Sequence, residues 1–207
     1  LRSVFMYRIF FIKIILLCLV SIKVYAKEKI ILFGDSIMAG YGLPTEHHLS
    51  TVLENDLFSE GYNFEVINGS VSGSTSANGL NRAEWSLSDA DIRLIILCLG
   101  ANDMLRGINP DETKKNLEKI IQIANKKKIK IILAGMAAPK SHGNIYKKKF
   151  DNVYPNLSKK YDLPLIPFLL KDVALIPDLN LKDGIHPNKR GTKIISNTIK
   201  KKILDTI

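Results

Sequence analysis

Ser36, Asp183 and His186 carry the hydroxyl, carboxylate and imidazole that nucleophilic catalysis by a serine requires. Ser36 comes shortly after the apolar run 30–33, so it is predicted to lie at the carboxyl end of a buried strand. Asp183 and His186 flank Gly184, and a tight turn there brings the carboxylate back onto the imidazole. The carboxylate then fixes the imidazole tautomer and leaves the second ring nitrogen free to accept the Ser36 proton.

Two further loops are predicted to end strands beside Ser36. Gly73 lies in the glycine- and hydroxyl-rich loop 69–75, where the missing side chain lets a ligand approach the backbone N–H. Asn102 follows the most apolar run, 94–99, and offers a side-chain amide. Each signal is weak alone, because Gly-Asp-Ser is also an ordinary turn composition and Ser36 lacks a Gly-x-Ser-x-Gly context.

The elements that must position these loops alternate between strands and helices. Apolar runs predict strands at 30–33, 64–68, 94–99, 129–134 and 163–168, and periodicity or capping predicts helices at 49–60, 75–87, 110–124, 144–161 and from 187 onward. This alternation implies parallel pairing, so we predict an α/β fold, a three-layer α/β/α sandwich around a parallel five-stranded sheet. The loops after the first three strands then open at one edge, and Trp85 is expected to pack.

Residues 1–26 have the composition of a secretory signal peptide. They contain four basic residues and no acid, an apolar stretch at 14–22, and a Val-Tyr-Ala ending that predicts cleavage after Ala26. The mature domain is then 27–207, exported to the periplasm or secreted. The alternative is an uncleaved membrane anchor, although the apolar stretch is short for a span.

The remaining charge favours no nucleic-acid partner. Cleavage lowers the formal net charge from +10 to +6. The lysine runs at 126–128, 147–149 and 200–202 lack interleaved aromatic residues, which indicates solvated helix faces. Weak contact with an anionic membrane surface is compatible with this charge, and the oligomeric state is left open.

Cysteine and histidine usage predicts neither a disulfide nor a metal site. Cys98 lies in an apolar run and is predicted to be a buried free thiol. His47, His48 and His142 lie in polar stretches and are predicted at the surface, without metal-ligand spacing. No cofactor is expected.

Four blocks in chain order resemble the SGNH (GDSL) hydrolase family. They are Gly34-Asp35-Ser36, Gly73, Gly100-Ala101-Asn102-Asp103 and Asp183-Gly184-Ile185-His186-Pro187. The stretches 68–76 and 102–107 are similar to the periplasmic arylesterase, acyl-CoA thioesterase I and lysophospholipase group within that family. The resemblance runs from about residue 30 to the last predicted helix and therefore covers nearly the whole mature chain.

The resemblance implies a flavodoxin-like sheet and a role for each matching residue. Ser36 is expected to be the nucleophile and His186 the base, oriented by Asp183. The N–H groups of Ser36 and Gly73 and the amide of Asn102 are expected to form the oxyanion hole. The implied reaction is cofactor-free hydrolysis of a small acyl ester, thioester or lysophospholipid through an acyl-enzyme.

Two other functions remain open at this point, a carbohydrate O-deacetylase with the same site and a non-catalytic flavodoxin-like binding module. Met38, Leu105 and Ile108 flank the candidate loops and are expected to line an apolar groove for the acyl chain, with core packing as the alternative. The segment 104–109 is a candidate lid. Asp35 and Asp103 are expected to brace their loops rather than to act as acid or base.

Overall fold

The computed structural model describes residues 27–207, which contain one five-stranded sheet. The strands are β1 (Lys29–Gly34), β2 (Glu65–Asn68), β3 (Ile92–Cys98), β4 (Lys130–Ala134) and β5 (Leu165–Ile166). Their order is β2-β1-β3-β4-β5, and every neighbouring pair is parallel. β1 and β3 are almost wholly buried, as expected for inner strands covered on both faces.

Helices cover both faces of this sheet. They are α1 (Ser36–Ala39), α2 (Leu49–Ser59), α3 (Ser76–Ser86), α4 (Ala101–Leu105), α5 (Pro110–Lys126), α6 (Asn144–Asp151), α7 (Val153–Tyr161) and α8 (Lys189–Leu204). α2 packs against α8, whereas α5 packs against α3 and α7, which gives one helical layer on each face. The predicted three-layer sandwich is confirmed, and its strand order is the flavodoxin-like one.

Two helix boundaries differ from the predicted ones. The helix expected over 144–161, with an interruption near Pro155 left open, is divided at Asn152 instead. Pro155 lies in the first turn of α7, where a missing N–H costs no hydrogen bond. α8 begins at Lys189 rather than at the proline before it. The Asn188 side chain caps α8 by accepting from the N–H groups of Arg190 and Gly191.

Of two single residues whose environment was predicted, Cys98 lies as expected and Trp85 does not. Cys98 is a buried free thiol, as predicted, and burial raises its pKa. Trp85 was expected to pack, but 82% of it is exposed near the end of α3. The predicted signal peptide lies outside the described residues. Within 27–207, no helix has the length and apolar content that crossing a membrane would require.

Candidate active site

Ser36 is the first residue of α1, directly after the end of β1. Asp35 precedes it and caps this short helix, because its Oδ1 accepts from the N–H of Ile37 at 3.1 Å. Asp35 is 1% exposed, and burial raises the pKa of its carboxyl to about 6. The Asp35 side chain therefore holds the serine turn, as expected, while Ser36 itself is only half-buried.

Asp183 and His186 meet within one tight turn. Asp183 Oδ1 accepts from the N–H groups of Ile185 and His186 at 2.8 and 2.9 Å, and its Oδ2 lies 2.8 Å from His186 Nδ1. The backbone N–H of His186 and then that of Ile185 lower the pKa of Asp183 to about 2, assisted by the imidazole. Asp183 is therefore an anion at neutral pH and can orient the ring.

The contact between His186 and Ser36 joins the two ends of the chain. His186 Nε2 lies 2.9 Å from Ser36 Oγ, across 150 positions of sequence. Because a carboxylate oxygen only accepts, Nδ1 must carry the ring proton, and Nε2 is then the acceptor for the Ser36 hydroxyl. The three side chains singled out from the sequence thus form the hydrogen-bonded series that a serine nucleophile needs.

Gly73 lies in the loop between β2 and α3, at the same edge of the sheet. Its φ is +77°, a backbone conformation that favours glycine, and no atom lies within 4 Å of where a Cβ would be. A side chain there would therefore project into open space rather than into the protein. The Gly73 carbonyl accepts from Arg106 Nη2 at 3.1 Å, which ties this loop to the segment after β3.

Asn102 lies in the first turn of α4, immediately after β3. Its Nδ2 donates to the carbonyl of Ser74 at 3.1 Å, so the amide lies beside the Gly73 loop. An amide NH₂ group has two N–H donors, and one contact to Ser74 leaves the other for a ligand. An amide with a spare N–H can donate to a negatively charged oxygen.

Asp103 holds the Asn102 loop against the Gly73 loop. It is 1% exposed and accepts from Ser76 N at 2.7 Å, Ser76 Oγ at 2.5 Å and Thr113 Oγ1 at 3.1 Å. Ser76 begins α3 and Thr113 belongs to α5, so one carboxylate joins three elements. These bonds match the expectation that Asp103 braces the loop.

The three residues expected to line an acyl groove have different environments. Met38 is completely buried, and it lies against Gly34 on the inner side of α1. It cannot line an open groove, so the expectation for Met38 is corrected in favour of core packing. Leu105 is 58% exposed at the end of α4, and Ile108 is half-buried in the following segment. Both remain candidates for acyl binding.

Three aromatic or imidazole contacts near the site were not predicted from the sequence. The Tyr41 ring lies 4.4 Å from the His186 ring, centroid to centroid, and covers one side of it. His142 Nε2 donates to the Met104 carbonyl at 3.1 Å, and the Tyr146 hydroxyl donates to the Ile108 carbonyl at 2.9 Å. His142 is therefore more than a surface residue. The candidate lid 104–109 is held in this structure by the hydrogen bonds from His142 and Tyr146. Only the closeness of Tyr41 to Ser36 in sequence signalled any of these contacts.

Comparison with known proteins identifies similar chains over nearly the whole described domain. The model of the GDSL-like Lipase/Acylhydrolase family matches residues 32–194. An arylesterase of Vibrio mimicus is 32% identical over 93% of this chain and 96% of its own. The thioesterase 1/protease 1/lysophospholipase L1 of Escherichia coli K12 is also 32% identical, over 90% of this chain and 88% of its own. The crystal structure of TesA has a TM-score of 0.82 at 32% identity and covers 87% of this chain and 100% of its own.

Proposed function

The chain belongs to the GDSL-like lipase/acylhydrolase family and hydrolyses ester bonds, and from this premise we propose that it acts through an acyl-enzyme on Ser36. The observation that carries the proposal is the unbroken series of hydrogen bonds from Asp183 through His186 to Ser36. Nothing in a purely structural turn requires a serine, an imidazole and a carboxylate to meet across 150 positions of sequence.

The proposed reaction has two steps. In the first, His186 Nε2 takes the Ser36 proton while Oγ attacks the ester carbonyl carbon, and the resulting oxyanion accepts from the N–H groups of Ser36 and Gly73 and from the Asn102 amide. His186 then protonates the leaving alcohol or thiol, and the acyl group remains on Ser36. In the second, water gives a proton to His186 and its oxygen attacks the acyl carbonyl carbon. The bond from that carbon to Ser36 Oγ then breaks, His186 returns the proton to Oγ, and the carboxylic acid is released.

We propose small acyl esters, acyl thioesters and lysophospholipids as the substrate class. Two relatives support it by their names, the arylesterase of Vibrio mimicus and the thioesterase and lysophospholipase of Escherichia coli. The exposed side chain of Leu105, three residues after Asn102, supplies apolar surface for an acyl chain. A panel of p-nitrophenyl esters from acetyl to dodecanoyl, run beside a lysophospholipid, measures the preferred length.

Covalent labelling tests the proposed nucleophile directly. Diethyl p-nitrophenyl phosphate transfers its phosphoryl group to an activated serine and releases p-nitrophenol. We expect one equivalent to abolish hydrolysis, with the added mass on the peptide that contains Ser36. Retained activity after stoichiometric labelling, or an adduct on another peptide, would contradict the proposal.

A polar substitution at Leu105 tests acyl recognition. Leu105→Gln removes apolar contact area from a side chain that is mostly in solvent, so its cost to folding is small. We expect kcat/KM for octanoyl and longer esters to fall about tenfold, the effect of ~1.4 kcal/mol of lost apolar contact, while acetyl hydrolysis changes less than twofold.

Phe58→Gln is the matched control for Leu105→Gln. Phe58 is 69% exposed near the end of α2, in the part of the chain that leads into the start of β2. We expect this variant to keep the wild-type dependence on chain length. An equal loss on acetyl and long-chain esters in Leu105→Gln would show lost packing instead of lost recognition.

Export is the proposed localisation, and it predicts a defined mature N-terminus. Residues 1–26 carry basic residues, an apolar stretch and a small residue at Ala26, so a signal peptidase is expected to leave Lys27 as the first residue. N-terminal sequencing of the protein from the periplasm or medium measures this. Recovery of an uncut chain in the membrane fraction would favour the anchor.

A further inference from the structure

Arg82, in the middle of α3, is half-buried and bonds to backbone instead of to a carboxylate. Its Nη1 donates to the Gly69 carbonyl at 2.5 Å, and its Nη2 donates to the Gly34 carbonyl at 3.0 Å. The guanidinium also lies over the Phe33 ring, 3.8 Å from the centroid. Across residues 27–207, Arg82 takes part in no ion pair.

This placement is costly for a cation. Burial lowers the pKa of the Arg82 guanidinium, and its Nε is buried without a hydrogen-bond partner. Two carbonyl oxygens and the face of Phe33 offset part of that cost, and the guanidinium still keeps its proton at neutral pH. A methionine would fill the same space without burying a charge, so packing alone does not explain an arginine here.

The two carbonyls that Arg82 bridges lie just beyond the point where the pairing of β1 with β2 ends. The paired register of these strands ends at Leu32 and Asn68. Beyond it, Gly34 leads into Ser36 and Gly69 leads into the loop that carries Gly73. Arg82 therefore spans the first gap between the two backbone segments whose N–H groups are the proposed oxyanion donors.

Two other hydrogen bonds also connect the end of β1 with the loop after β2. Ser70 Oγ donates to the Leu32 carbonyl at 2.8 Å, and the Val71 N–H donates to the Gly34 carbonyl at 3.2 Å. Both come from the loop itself, so they move with it. Arg82 is anchored instead in α3, and its planar fork fixes two carbonyls at once.

We propose that Arg82 is a positioning residue of the oxyanion hole, which holds the Ser36 and Gly73 backbone segments at the separation that the tetrahedral intermediate needs. The inference rests on the proposed acyl-enzyme function. Arg82 acts through the Gly34 and Gly69 carbonyls and does not touch the substrate. The negative oxygen forms only on the way through the transition state. Misplacement of the N–H groups that donate to it therefore lowers kcat and leaves KM nearly unchanged.

Arg82→Met tests this inference because it keeps an apolar stem and removes both donors. We expect kcat for p-nitrophenyl acetate to fall about tenfold or more, with KM within about threefold and the Tm within a few degrees of wild type. Arg93→Met is the matched control, since Arg93 is an exposed arginine that pairs with Glu28 at 3.3 Å near the start of β3. We expect Arg93→Met to keep the wild-type kcat.

Two results would overturn the inference. One is a kcat for Arg82→Met within twofold of wild type, and the other is a loss of kcat that follows the loss of folded protein in melting curves. If Arg82→Met does not fold, Arg82→Lys decides, because lysine keeps the charge but cannot bridge two carbonyls as a fork. A kcat lowered several-fold at an unchanged Tm supports the inference, and a wild-type kcat overturns it.

Labelling with diethyl p-nitrophenyl phosphate distinguishes a failure of this inference from a failure of the proposed function. If Ser36 of the wild-type protein is not labelled, the acyl-enzyme proposal fails and the Arg82 inference fails with it. If wild type is labelled and Arg82→Met is labelled at the same rate, only the inference about Arg82 fails, because phosphoryl transfer also develops charge on an oxygen held by these donors.

Discussion

Ser36→Ala is expected to fold as wild type does and to lose ester hydrolysis, with kcat lower by about 10⁴-fold or more. The Ser36 hydroxyl is the group that His186 Nε2 contacts at 2.9 Å, and alanine leaves the imidazole with no nucleophile to activate. The turn itself survives, because Asp35 still caps α1 through the N–H of Ile37. Hydrolysis of p-nitrophenyl acetate by the purified variant, together with its melting curve, gives the measurement.

Ser88→Ala is the control for the loss of a serine as such. Ser88 is exposed in the turn that leads into β3, outside the catalytic loops, and its replacement should leave kcat at the wild-type value. Ser36→Ala should also gain no mass from diethyl p-nitrophenyl phosphate. If Ser36→Ala kept even a tenth of the wild-type kcat, the acyl-enzyme on Ser36 would be wrong.

The contacts among Ser36, Asp183 and His186 were predictable because each residue is tied to a local sequence signal. The run 30–33 predicts a strand, and the Gly-Asp pair after it marks the strand end where Ser36 lies. The turn at Gly184 fixes Asp183 against His186 by chain geometry alone, as the 2.8 Å contact bears out. Parallel pairing then brings the separate strand ends to one edge.

Met38 shows where sequence periodicity fails. α1 is only four residues long, which is too short to reveal which side of the helix faces the core. Proximity to Ser36 suggested a substrate contact, whereas the structure buries Met38 completely. Leu105 also lies close to a site motif in sequence, yet it is exposed. Closeness to a motif therefore did not distinguish the buried Met38 from the exposed Leu105.

Arg82, His142 and Tyr146 could not be found from the sequence for a different reason. Each donates to backbone carbonyls of a distant loop. Every residue has such a carbonyl, so the residue type does not show which one accepts the hydrogen bond. The supports of the site thus become visible only once the loops are placed.

Asn102→Ala is expected to lower kcat by about 10²–10³-fold, with KM changed little. The Asn102 amide already donates to the Ser74 carbonyl at 3.1 Å, and its second N–H is the proposed donor to the oxyanion. The loss should be confined to kcat, because the negative oxygen exists only in the transition state. Asn102→Asp should be at least as poor, since a carboxylate repels that oxygen.

Comparison of Asn102→Ala with two other variants separates catalysis from folding. Asn152→Ala is the control, because Asn152 is an exposed asparagine that donates to the Lys148 carbonyl at 2.7 Å, and it should keep the wild-type kcat. Asp103→Asn should lower the Tm, since the new amide would face the Ser76 and Thr113 donors. Asn102→Ala should instead melt within a few degrees of wild type. A near-normal kcat, or a loss that follows unfolding as in Asp103→Asn, would remove Asn102 from the oxyanion hole.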